Sequence, residues 1–276
     1  MSVYKFMCWP GFRDKALTLS YDDSVSADVR LIEIMNKNGI KGTFNLNSGL
    51  FGDIPIRMGY DDVYKTYKDC GQEIAVHGAK HYILPYYPSS MKMSDILDDK
   101  RALEKMFGVV ITGMAYSCGY YDEEARKIAE ECGIRYARTI ESTEKFDIPT
   151  DFMKLNPTSH HGNPRLMELA EKFVSEKCDK WIYKTPKLFY LWGHSYEFDR
   201  EDNWQIIEEF SSYMGGREDV WYATNGEIYD YVTAFRSLRF SAEGTRVYNP
   251  SALDVYIEWG RGKQYLIPPA KTVELD

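Results

Sequence analysis

The chain lacks any uninterrupted apolar run of the roughly 18 residues that a membrane-spanning helix needs. It also lacks an excess of positive charge: 34 Lys and Arg against 42 Asp and Glu leave a formal net charge of −8. The first absence speaks against a membrane anchor. The second speaks against a nucleic-acid binder, which would carry a basic stripe, and against tight binding to anionic membranes. Cysteine is sparse and unpatterned. Cys8, Cys70, Cys118, Cys132 and Cys178 are odd in number, scattered, and form no CxxC pair. That excludes a disulfide framework and predicts reduced thiols. The first ten residues, Met1 to Pro10, have no signal-peptide h-region, so a cytoplasmic location is the expectation. There is no internal repeat and no low-complexity linker.

What is present suits a soluble globular protein. With 276 residues, 44% apolar and 28% charged, the chain can bury the core of one large α/β domain. Aromatics reach 15%, with 22 Tyr; such rings fill cores and can also stack on sugars. Strand-like and helix-like segments alternate with short connections, which predicts an α/β fold. The predicted strands are Lys15–Leu19, Lys41–Leu46, Glu73–Val76, Val109–Ala115, Tyr136–Thr139, Leu188–Trp192 and Val220–Ala223. The predicted helices are Ala27–Asn38, Asp61–Asp69, Ser94–Phe107, Asp122–Cys132, Asn203–Met214 and Glu227–Leu238, several stopped by glycine. After Leu238 the pattern changes to short β-like pieces, Thr245–Tyr248, Val255–Trp259 and Tyr265–Ile267, separated by turn formers. Residues 1–236 are therefore read as the main domain and 237–276 as a small β appendage packed on it. Oligomeric state is not legible, although exposed strand edges in the appendage could serve a dimer contact.

Three short stretches could build one metal-hydrolase site. Asp22 and Asp23 follow the first strand. His77 and His81 lie four residues apart, a spacing that on a helical turn puts both rings on one face. His194 follows the apolar run Leu188–Trp192 and could supply a proton. Two His and one carboxylate, with a position open for water, form the ligand set of a catalytic zinc site; cobalt or nickel could also occupy it. Singly each has a bland reading: adjacent acids as a loop or helix cap, a histidine pair on a surface helix, a structural histidine. Together they share one placement, the C-terminal end of a predicted strand, which is the rim where barrel-type α/β folds assemble catalysis. His160 and His161 read as a polar loop that could also line the cleft.

These residues resemble, in order and spacing, the polysaccharide deacetylases, also called carbohydrate esterase family 4 or the NodB-homology domain. The matching pieces are Thr18 to Ser24, Asn36 to Asn45, His77-Gly78-Ala79-Lys80-His81, Ala115 to Gly119 and Leu191 to Ser195, and the resemblance covers roughly residues 9–236. The segment Gly193 to Phe198 and the β tail are most similar to a subgroup related to gellan-lyase-associated deacetylase domains. The resemblance implies a distorted (β/α) barrel with fewer than eight strands. It implies a metal, zinc above others, held by Asp23, His77 and His81, with Asp22 as general base toward the metal-activated water and His194 as general acid. It further implies a backbone oxyanion site near Gly119 and Tyr120, and a substrate wall drawn from Tyr120, Trp192, Tyr196 and His161. The implied activity is removal of acetyl groups from an N- or O-acetylated carbohydrate. The alternatives are hydrolysis of a non-sugar amide by the same machinery, or glycan binding without turnover. The sequence departs from the family's pattern at Ser24, at Gly78 and in the third motif, where Ala115-Tyr116-Ser117-Cys118-Gly119 offers no Arg to pair with Asp22. No Asp is evident to orient His194; Glu197 could stand in, although a solvent-facing role is the favoured reading.

Overall fold

A computed structural model describes residues 4, 6–176, 185–260 and 262–276. Among these, fourteen strands occur in chain order: β1 Met7–Cys8, β2 Lys15–Asp22, β3 Gly42–Leu46, β4 Glu73–Val76, β5 Gly113–Ala115, β6 Tyr136–Arg138, β7 Ser159–His160, β8 Lys187–Gly193, β9 Val220–Tyr222, β10 Arg239–Phe240, β11 Arg246–Tyr248, β12 Val255–Trp259, β13 Lys263–Ile267 and β14 Thr272–Glu274. The main sheet has eight of them, all paired in parallel. Seven run in the order β6-β5-β4-β3-β2-β8-β7, and β9 pairs with Lys15–Leu17 of β2. Since the same residues of β2 also pair with β8, β9 must lie on the β3 side, below the point where β3 begins to pair at Leu19. This curled parallel sheet, with helices between its strands and seven strands in its continuous path, is the distorted (β/α) barrel that the resemblance implies.

Central β2 is buried along all eight residues, KALTLSYD, as expected of a parallel strand covered on both faces. Leu17, Leu19, Leu31, Met35, Phe44, Val76, Leu103, Phe189, Leu191 and Phe210 belong to one continuous core. Helix Ser89–Phe107 ends where Gly108 turns left-handed at φ 70°, a conformation glycine adopts without steric penalty. That helix begins five residues before the predicted Ser94, because Pro88 sets the entry and Ser89 to Met93 are mostly polar or exposed. The stretch between Thr139 and Leu188 carried no prediction; it holds β7 and the helix Leu166–Ser175.

The sheet does not close. Its end strands are β6 and β7, and the segment 139–158 spans the opening between them. This segment is tied to β6 by Leu155 N–H to Ala137 O at 2.9 Å and Thr139 N–H to Leu155 O at 3.1 Å, and to β8 by Thr158 N–H to Tyr190 O at 2.8 Å.

The C-terminal pieces form two three-stranded antiparallel sheets, β1-β12-β13 and β10-β11-β14. The N-terminal β1 thus belongs with the tail, across the expected division at 236. No helix among the described residues is long and apolar enough to cross a membrane. Cys70, Cys118 and Cys132 carry free thiols; Cys178 lies outside the described residues, as does Arg261 of the tail's turn formers.

Candidate active site

Parallel strands deliver the polar residues to one rim. Asp22 is the last residue of β2 and Arg138 the last of β6, while His77 and His194 directly follow β4 and β8. Asp22 is buried. Its Oδ1 accepts from Asn45 Nδ2 at 2.8 Å, the residue beside it in register on β3. Its Oδ2 accepts from the Arg138 guanidinium and lies 3.7 Å from His77 Nε2 and 3.8 Å from His194 Nε2. Burial alone would raise the Asp22 pKa; Arg138 first, then His77, His194 and Asn45, overturn that and hold it at about 2.

Beside it stand Asp23, His77 and His81, with one ligand atom from each within 4.8 Å of the others. The two Nε2 atoms face each other at 3.2 Å, and Asp23 Oδ1 is 3.9 Å from His77 Nε2. His77 is clamped on every side. Its N–H donates to Asp99 Oδ2 at 3.0 Å, its carbonyl accepts from Asn47 Nδ2 at 2.9 Å and Ser117 Oγ at 3.0 Å, and its Nδ1 lies 2.9 Å from Ala115 O. A carbonyl can only accept, so Nδ1 carries the ring proton and Nε2 presents a lone pair to the cluster. His81 is pushed down to about 4, by burial and then by His77, against Asp23 and Asp22, which leaves it neutral as a ligand must be. Asp23 Oδ1 is buried without a hydrogen-bond partner among the described residues. Arg57, at 3.6 Å, is its nearest cation there. A lone pair, a neutral imidazole and an orphaned carboxylate oxygen converge, and this donor set fits a divalent metal.

The convergence is not helical, as the i,i+4 spacing had suggested. Residues 77–81 form a turn closed by His81 N–H to Gly78 O at 3.2 Å. Gly78 at φ +83° and His81 at φ 54° are both left-handed. A Cβ at Gly78 would stand 2.3 Å from Asp95 Oδ2, and Asp95 is needed there to accept from Lys80 N–H and Tyr82 N–H. This explains glycine where the family's pattern has Ser or Thr.

His194 has a half-buried ring. Its Nδ1 lies 3.5 Å from Glu197 Oε1. Burial favours its neutral form, but Glu197, then Asp22 and Asp23, hold its pKa above the ordinary value. The following Ser195 is anchored by its Oγ donating to Asp28 Oδ1 at 2.6 Å, and Asp28 also accepts from Tyr67 and from Val25 N–H. One buried carboxylate thereby joins the Asp22 loop to the His194 loop.

Residues 11–137 match the family model described as polysaccharide deacetylase. That stretch is similar to a polysaccharide deacetylase domain. No curated protein matches it. Among solved structures it is similar to a putative polysaccharide deacetylase from Mycobacterium smegmatis, at 16% identity and TM-score 0.59, over 86% of this chain and 96% of that one. It is similar also to a carbohydrate esterase family 4 pseudoenzyme from Bacillus anthracis, at 15% identity and TM-score 0.51, over 81% and 68%. A Streptococcus pyogenes deacetylase in complex with acetate aligns at 20% identity and TM-score 0.45 over 50% of this chain, which spans 61% of that protein. At such identities the first two likenesses establish the fold alone, and only the residues can speak for chemistry.

The remaining expected residues are placed unevenly. Tyr120 is 56% exposed at the rim, and Tyr196 is half-buried with its ring 5.2 Å from that of His194. Trp192 is buried and backs the site instead of walling it: the Arg138 guanidinium sits 4.6 Å over its ring. His161, expected in the cleft, is buried between Phe198 at 4.1 Å and Tyr21 at 5.7 Å. The Gly119 and Tyr120 N–H groups, expected at an oxyanion site, already donate within their own turn, to Tyr116 O and Ser117 O; the short 3₁₀ turn at 117–119 consumes them. One residue escaped the sequence, and a second, Glu197, was favoured as solvent-facing and named only as a possible partner of His194. Arg138 provides the cation that the third motif lacks, from a different strand; its placement at a predicted strand end was the available signal. Glu197 turns inward, with its side chain 16% exposed, and reaches His160, His161 and His194.

Proposed function

We propose that this protein is a metal-dependent hydrolase that removes acetyl groups from an N- or O-acetylated carbohydrate. The observation that carries the proposal is Asp22: a buried, ionised carboxylate whose Oδ2 lies within 4 Å of both His77, a member of a two-histidine, one-carboxylate ligand set, and the His194 imidazole. Asp23, His77 and His81 would hold the metal, with zinc suited best to these donors. When bound, it supplies Lewis acidity and lowers the pKa of water from 15.7 toward roughly 7, which a base as weak as Asp22 requires.

The protein's own residues do the rest. Asp22 takes the proton of the attacking water, and Arg138 and Asn45 keep its carboxylate ionised and oriented. His194 gives its proton to the leaving amine or alcohol, which would otherwise depart as a poor anion. Tyr120 and Tyr196 offer ring faces at the mouth of the site, suited to a sugar. The fold shared with a pseudoenzyme keeps one other reading in view, glycan binding without turnover. Asp22, Asp23, His77, His81 and His194 all stand together, and Arg138 replaces the cation absent from the third motif, which favours catalysis.

Acetate release from a panel of acetylated mono- and oligosaccharides, with zinc and again with chelator, tests the proposal. Chelator-sensitive release is expected. Protein that holds metal and releases nothing from any sugar, yet cleaves small acetamides, would move the substrate to non-sugar amides. Loss of both activities with sugar binding retained would leave a binding protein.

A further inference from the structure

A second histidine–carboxylate cluster lies beside the first. His160, His161 and Glu197 bring one ligand atom each within 4.8 Å of one another, with His160 Nε2 3.1 Å and His161 Nε2 3.0 Å from Glu197 Oε2. By distance alone this is as good a metal site as the one proposed above. We infer that it is instead a positioning device for His194, in which two imidazole N–H groups hold Glu197 so that its carboxylate fixes the His194 ring; this rests on the reading of His194 as the general acid.

The nitrogens on the far side of each ring decide the matter. His160 Nδ1 accepts from the Gly162 backbone N–H at 3.1 Å. A backbone N–H only donates, so Nδ1 holds a lone pair and the ring proton sits on Nε2, facing Glu197. Binding a cation there would demand either the loss of that hydrogen bond or a doubly deprotonated ring. His161 Nδ1 is buried with no partner among the described residues, whereas its Nε2 lies 3.0 Å from Glu197 Oε2. A proton on it would be an unpaired buried donor, so its proton too belongs on Nε2. Gly193 is what lets this ring in, since a Cβ there would lie 2.0 Å from His161 Nδ1. Metal-binding histidines show the opposite pattern, with the far nitrogen donating to an acceptor, as His77 Nδ1 does to Ala115 O.

The contacts to Glu197 are close in distance without being well aligned; its Oε2 and His194 Nδ1 have no aligned hydrogen bond. Misalignment by itself would suit an ion between the groups; the lone pair that His160 Nδ1 gives to the Gly162 N–H argues against one. Glu197 Oε1 then lies 3.5 Å from His194 Nδ1, which turns Nε2 toward Asp22 Oδ2 at 3.8 Å. Despite partial burial, the three histidines keep Glu197 well below the ordinary carboxylate range, so the anion persists wherever His194 must be a cation.

The chain has only five histidines, so ring-nitrogen NMR of ¹⁵N-histidine-labelled protein can observe each one. In metal-free wild type, His160 and His161 should show the Nε2–H tautomer, and His194 should carry a fixed Nδ1–H that becomes mobile in Glu197→Gln. On zinc addition one equivalent should bind and move the His77 and His81 signals. In turnover, Glu197→Gln should lower kcat about 10- to 100-fold, as for other residues that orient a catalytic group, with KM and metal content unchanged. A second equivalent of zinc shifting His160 and His161 would overturn the inference, as would a His194 signal and kcat indifferent to Glu197→Gln. If no acetylated substrate is turned over, the activity reading fails while the NMR still decides the network. His160→Asn, which retains a side-chain N–H donor, guards against a folding artefact: it should preserve both the His194 signal and metal binding.

Discussion

The two histidine–carboxylate clusters are near twins in composition and spacing, and they differ in what lies behind them. Behind His77 stands a backbone carbonyl; behind His160 stands a backbone N–H. That single reversal places the ring proton on opposite nitrogens. The same side chains therefore make a lone-pair donor in one cluster and a proton donor in the other. Proximity of ligand atoms is a poor guide to metal binding unless the tautomer is settled by the partner across the ring.

The comparison can be broken most severely at the first cluster. His81→Ala should abolish metal binding and lower activity by roughly 10³-fold, since a bound metal contributes several kcal/mol of charge stabilisation and each 1.36 kcal/mol is tenfold in rate; metal analysis with kinetics checks both. If His81→Ala keeps its metal, the clusters have been assigned the wrong way round. Asp22→Asn should retain metal and lose roughly 10²- to 10⁴-fold in kcat, the span usual for a general base. An unchanged rate would show the proton going elsewhere.

Arg138 sharpens the contrast in stability, because it is a buried cation serving only the Asp22 side. Arg138→Met should cost about 3–5 kcal/mol in denaturant unfolding by leaving the Asp22 charge unpaired. The double variant with Asp22→Asn should recover part of the loss, and its failure to do so would show that Arg138 acts mainly by stacking on Trp192. The smallest effect concerns the link between the two sides. Burial raises Asp28 to about 7, so the folded state favours its protonated form. That contribution is full below about pH 4 and is lost as pH rises toward 7. Thermal stability should decline over this window in the wild type, with a flatter profile in Asp28→Asn.

Much of the fold was legible because parallel strands buried on both faces read as apolar runs and most helices stop at glycine; β4 and β12 appear with their predicted bounds. The stretch between Thr139 and Leu188 was not legible, since β7 has two residues and its surroundings are loop, so no periodicity exists to detect. At the site, the residue types Asp22, Asp23, His77, His81 and His194 were visible from spacing and strand ends. The roles of Arg138, His160 and His161 were not, and Glu197 was only an alternative to a solvent-facing reading, because these depend on which strands become neighbours across the sheet and which way a short helix, Tyr196–Arg200, turns its first acid. His161 illustrates the difficulty: beside a polar neighbour it reads as cleft, and only the stack between Tyr21 and Phe198 shows it to be interior.

The unclosed sheet has a mechanical consequence. Arg138, which keeps Asp22 ionised, ends one edge strand, and His160, which lies against Glu197, ends the other. The two halves of the proposed proton traffic are thus mounted on opposite jaws, and the segment 139–158 is the clasp between them. Leu155 pairs with Arg138 itself and Thr158 is tied to β8, so a substitution at either, although neither is one of the proposed reacting groups, should shift Asp22 and His194 together and lower turnover with every reacting group still in place.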